Sequence, residues 1–122
     1  MKFFIYIPII LTSLLLNNGI DYIWPTDASK TVTAFFGEMR PNRYHYGLDI
    51  RTYGENGKKI YSISDGYVYR VKISSDGYGK VIYIKLNDGN IALYSHLSRF
   101  NSKIEQILSQ LQKIRNSYDI DH

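Results

Sequence analysis

The sequence predicts a mainly β domain of short antiparallel strands followed by one C-terminal amphipathic helix. Three observations predict it. Residues 67–73 and 80–86 alternate apolar and polar side chains with a period of two; Asn87-Asp88-Gly89 turns the second of these runs back on a third; and residues 104–114 change to helical spacing. The 122 residues leave room for one domain at most.

Trp24-Pro25-Thr26-Asp27 reads as a loop, after which residues 31–36 are β-branched and aromatic and predict the first strand. The short apolar run 60–63 predicts another. Tyr67, Tyr69, Val71 and Ile73 alternate with Arg70 and Lys72, as in a strand with one wet face, and Asp65-Gly66 and Asp76-Gly77 mark its ends. Ile82, Ile84 and Leu86 share a face of the next strand, and the chain returns as 91–96 to complete an antiparallel hairpin. Ala92, Tyr94 and His96 then lie on one face, so His96 is expected on regular structure. Ile104, Ile107, Leu108, Leu111 and Ile114 form the apolar stripe of a helix that packs on the sheet, and Ser102 with Glu105 predicts a capping box at its start. Residues 118–122 are too short to assign.

Lys2 precedes an apolar run, 3–16, shorter than the roughly 20 residues of a spanning helix and suited to a secretory signal. Asn17-Asn18-Gly19 is not an A-x-A type cleavage site, so residues 1–23 are expected to be a signal peptide or an uncleaved anchor, residues 24–100 the β core, and 101–122 a helix and tail. The expected location is outside the cytoplasm: periplasm, envelope or extracellular space. Cysteine is absent, which excludes a disulfide framework and a lipid-acceptor thiol. A net charge of +4 favours anionic surroundings without choosing among them. Twelve tyrosines and five phenylalanines suit half-buried strands, and most are expected to be structural, although sugar or base stacking is open to them.

The chemistry-bearing run is Arg43-Tyr44-His45-Tyr46-Gly47-Leu48-Asp49-Ile50. A neutral imidazole and a carboxylate can both ligate one zinc ion, which as a catalytic centre takes three protein ligands and one water. On a straight strand the two α carbons would stand roughly 13 Å apart, and Gly47 permits the bend that would bring them together. The bland alternative is a surface histidine and aspartate that are merely near each other.

That run, followed in order by 60–68 (Ile-Tyr-Ser-Ile-Ser-Asp-Gly-Tyr-Val), 77–84 (Gly-Tyr-Gly-Lys-Val-Ile-Tyr-Ile) and 93–98 (Leu-Tyr-Ser-His-Leu-Ser), resembles the lysostaphin-type zinc endopeptidases that cut bacterial peptidoglycan. The similarity covers about residues 24–100. It implies the antiparallel core of that family, the duplicated hybrid motif kind, and a zinc metalloendopeptidase acting on peptidoglycan cross-links or stem peptides. His45 and Asp49 would be zinc ligands, and His96 the catalytic histidine beside the metal. An imidazole suits that place, since it can trade a proton with a zinc-bound water near neutral pH. Gly47 and Gly66 match as backbone-bend residues.

The chain also departs from the family, whose enzymes carry a later H-x-H strand with a second catalytic histidine and the third zinc ligand. No H-x-H is present, and the remaining histidine is His122 in Asp119-Ile120-Asp121-His122, where no motif supports it as a ligand. Asp119 and Asp121 are oxygen donors by type, or a solvated acidic tail. The expectation is therefore an incomplete core, with the helix inserted before closing strands of a longer protein, and one zinc ion whose third protein ligand is not found. Three functions stay open: the zinc peptidase; a non-catalytic relative that binds peptidoglycan or regulates a wall hydrolase; and a basic β domain for polyanions, single-stranded nucleic acid included. The export signal favours the first two. Peptidoglycan is the expected partner, with no nucleic acid and with membrane contact only through the N-terminal segment.

Overall fold

The structure, a computed structural model, describes residues 21–122. The expected leader falls almost wholly on residues 1–20 and so lies outside the described residues. Among the described residues no helix is long and apolar enough to cross a membrane.

A four-stranded antiparallel sheet forms the centre, in the order β7 (Ile91–Tyr94), β6 (Lys80–Leu86), β5 (Gly66–Ile73), β8 (Ile120–Asp121). The hairpin of β6 and β7 forms as the sequence predicts, with the Leu86 N–H donating to the Asn90 carbonyl at 2.9 Å across the turn. Two short ribbons precede the sheet: β1 (Val32–Ala34) pairs with β4 (Asp49–Ile50), and β2 (Met39–Arg40) with β3 (Arg43–Tyr44). Residues 60–63 do not form the strand predicted for them. Ile60 makes an isolated bridge to Thr26, and the Tyr61 and Ile23 N–H groups donate to Pro25 and Ile63 carbonyls at 2.8 Å. That run is tied to the 23–26 loop by a few bonds, too few to propagate a ladder.

The period of two along β5 also breaks. Val68 pairs with Ile84 and Arg70 with Tyr83, so Tyr69 is an extra, bulged residue. One inserted residue exchanges the faces. Val71 and Ile73 are buried on the side of Ile82, whereas Tyr67 falls with Arg70 on the other side, and Tyr67 and Tyr69 are exposed. Every described tyrosine except Tyr83 and Tyr94 is exposed.

Helix α1 (Ser102–Arg115) packs on the buried face of the sheet through Ile104, Leu108 and Leu111, against Val71, Ile73, Ile82, Leu97, Phe100 and Ile120. The helix begins one position away from the predicted capping box. Asn101 is the N-cap, its Oδ1 accepting the Ile104 N–H at 2.9 Å, and Glu105 reaches past it to accept the Phe100 N–H at 2.8 Å and Lys80 Nζ at 3.2 Å. Asn116 ends the helix in a left-handed conformation at φ 47°. The chain then returns as β8 along β5, with Val71 and His122 exchanging backbone hydrogen bonds of 2.7 and 3.0 Å.

Two carboxylates tie these late elements to the sheet and set a pH dependence. The Phe100 N–H, helped by Lys80, holds the Glu105 carboxyl below its ordinary range, and the Arg70 guanidinium does the same for Asp121. A depressed folded-state pKa contributes stability above the ordinary carboxylate pKa, lost as pH falls through the lower folded value. The melting temperature is therefore expected to hold from pH 7 to about 5 and to drop below about pH 4. Glu105→Gln should flatten that drop. An unchanged acid slope in Glu105→Gln would show that Glu105 is not among the groups responsible.

Candidate metal centre

The Pro41-Asn42 turn closes the β2–β3 ribbon, and two more backbone bonds extend it: His45 N–H to the Glu38 carbonyl and Gly37 N–H to the His45 carbonyl, each 2.8 Å. Gly37 turns the chain at φ 78°, a left-handed conformation that favours glycine. Beyond His45 the chain bends at Gly47 and β4 runs back along β1, with the Arg51 N–H donating to the Thr31 carbonyl at 3.0 Å and Thr33 Oγ1 donating to the Asp49 carbonyl at 3.1 Å. The bend falls at Gly47 as expected, without using glycine's special freedom: Gly47 is outside the left-handed region, and a methyl group there would meet nothing within 4 Å.

The bend brings the two side chains together. His45 Nε2 stands 3.1 Å from Asp49 Oδ1, His45 Nδ1 stands 3.0 Å from the Phe35 carbonyl oxygen, and Arg40 Nη2 donates to Asp49 Oδ2 at 2.6 Å. A carbonyl oxygen only accepts, so Nδ1 carries a proton. Nε2 then faces the carboxylate as the second N–H of an imidazolium or as a lone pair sharing a cation with Oδ1. Tetrahedral zinc with bonds of about 2.0–2.1 Å keeps adjacent ligand atoms about 3.3 Å apart, within a few tenths of the observed separation. The pair fits two zinc ligands. The imidazole is largely covered, at 13% side-chain exposure, and the carboxylate half-open at 47%.

Among the described residues no three His, Cys, Asp or Glu side chains form a metal-holding group. His96 stands two residues beyond the end of β7, exposed and in a left-handed bend at φ 56°, so it is not within the strand as predicted. Its N–H donates to the Tyr78 carbonyl at 3.1 Å, and its ring meets the Tyr78 ring edge to face with centroids 6.0 Å apart. The acidic tail is also ordered by partners. Asp121 accepts from Arg70 Nε at 2.6 Å, and Asp119 Oδ1 accepts the Ser75 N–H at 2.9 Å.

Sequence reasoning missed Arg40 and the Phe35 carbonyl. The Pro-Asn turn after Arg40 signals a hairpin, which would have set Arg40 on a ribbon beside His45. A main-chain carbonyl leaves no signal of that kind.

The family model of Peptidase family M23, the lysostaphin-type peptidases, matches residues 43–119. The murein hydrolase activator NlpD of Salmonella dublin is 33% identical over 91 residues, 75% of this chain and 22% of that protein. Its counterpart in Escherichia coli is 32% identical over the same shares. Outer membrane antigenic lipoprotein B of Histophilus somni is 30% identical over 98 residues, 80% of this chain and 27% of that protein. The chain thus spans about a quarter of the length of these relatives. No solved structure matches it to the same standard.

Proposed function

The chain belongs to peptidase family M23, and on that premise we propose that it acts at peptidoglycan in the cell envelope, binding the wall and regulating a murein hydrolase without cleaving peptides itself. The observation that carries this reading is the likeness to relatives named as murein hydrolase activators, 33% and 32% identical over 91 residues. His45 and Asp49 would supply two of the three protein ligands that a catalytic zinc takes. A relative named as an outer membrane lipoprotein supports the envelope location. The surface beside the pair suits a wall polymer. Phe35, Phe36, Tyr44 and Tyr46 are exposed next to the β2–β3 ribbon, offering rings to sugars, and Arg40 and Arg43 lie on that ribbon, opposite in charge to the carboxylates of stem peptides.

One observation favours the second reading, a zinc endopeptidase. The 3.1 Å pair is spaced as two zinc ligands are, so His45 and Asp49 would hold the ion, which would supply a water acidified to near neutral pH, and His96 would trade the proton. The two readings separate in one experiment. The chain, dialysed and then assayed for bound zinc, is mixed with purified sacculi, alone and with a murein hydrolase. Sedimentation with sacculi, loss of zinc, no peptide release alone and faster release by the hydrolase are expected. One retained zinc per chain together with peptide release by the chain alone would overturn the regulatory reading in favour of the peptidase.

A further inference from the structure

We infer that Arg40 is a positioning residue for divalent-cation capture by His45 and Asp49: it holds one carboxylate oxygen so that the other is aimed at the imidazole. Each member of the pair has its rear atom occupied. The Phe35 carbonyl takes the proton on Nδ1 of His45, and Arg40 Nη2 takes Oδ2 of Asp49 at 2.6 Å, leaving Nε2 and Oδ1 turned to each other. Both rear partners are themselves fixed. Phe35 sits in a turn where its carbonyl also accepts the Glu38 N–H at 3.3 Å and its own N–H donates to Glu38 Oε2 at 3.1 Å. Arg40 is the last residue of β2, paired to Arg43 across the turn, and its side chain is 34% exposed.

Two effects of Arg40 oppose each other. Its positive charge repels an incoming dication, and its hydrogen bond saves the entropy of orienting a half-exposed carboxylate. Water at the half-open carboxylate weakens the first through its dielectric, while the second is a direct contact. Partners of metal ligands at this remove typically alter metal affinity by about 10–100-fold. Orientation therefore outweighs repulsion here. The inference concerns cation affinity alone, so it holds under either reading of the domain's activity.

The test uses the full 122-residue chain and cobalt(II), whose visible absorption reports the ligand set, with His45→Ala to show that the signal belongs to the pair. Arg40→Ala is expected to weaken cobalt binding roughly tenfold or more. Arg40→Lys should recover most of that loss, because the contact is through a single nitrogen, and Lys113→Ala, exposed in the last turn of α1, should bind as the parent does. Thermal melts accompany each titration, and Arg40→Met, which keeps the stem but no donor, replaces Arg40→Ala if that variant does not fold. Unchanged or tighter binding in Arg40→Ala would show that Arg40 acts only as a competing charge and overturn the inference. So would equal loss in Arg40→Lys and Arg40→Ala, or a parent chain that takes up no cobalt.

Discussion

Gly66→Ala is expected to destabilise the domain by about 3 kcal/mol, the upper part of the range for forcing a methyl group into packed structure. Gly66 opens β5 opposite Leu86, and a Cβ placed there would come within 2.9 Å of the Leu86 α carbon and closer still to the Lys85 carbonyl oxygen. Those are backbone atoms of β6, which is bonded to β5 on one side and β7 on the other, so they cannot withdraw without opening a ladder. Gly47→Ala makes the contrast. Open space around it and an ordinary φ predict a neutral change or a gain of about 0.4–1 kcal/mol from a less free unfolded chain. Urea denaturation followed by circular dichroism measures both. A Gly66→Ala protein within about 0.5 kcal/mol of the parent would mean that the β5–β6 spacing differs from that described.

Leu108→Ala is expected to cost about 2–5 kcal/mol and to loosen the helix and β8 together. Leu108 is 2% exposed, and its neighbours in the core include Ile120 of β8, itself 2% exposed, so removing the side chain opens a cavity between two elements that hold each other on the sheet. Ile114→Ala in the same helix should stay within about 0.5 kcal/mol, because Ile114 is 80% exposed and alanine is the better helix former. Hydrogen exchange across residues 102–122 separates local undocking from global unfolding. Equal effects of the two substitutions would contradict the packing of the helix.

That pair of residues also shows how far the sequence reaches. Helical spacing named Ile104, Ile107, Leu108, Leu111 and Ile114 as one apolar stripe, yet only Ile104, Leu108 and Leu111 meet the sheet, while Ile107 and Ile114 lie on its outer margin. Periodicity gives a direction around the helix axis. The width of the contact depends on the sheet that receives it. The same limit applies to β5: alternation fixed the existence of the strand, but the bulge at Tyr69 chose which residues face inward, and a bulge arises from pairing with β6.

By itself the sequence determined the mainly β class, the β6–β7 hairpin, the C-terminal helix, and a candidate pair in His45 and Asp49, because each is written in local spacing and turn residues that act within a few positions of one another. Tertiary structure alone decided that the bend between them closes to 3.1 Å, that Arg40 and the Phe35 carbonyl take up their rear atoms, and that residues 120–121 join the sheet as β8 beside β5. Each of these depends on which segments pair across the fold. Register and partnership at long range are set by the summed packing of the whole chain, and no short stretch of residues carries them.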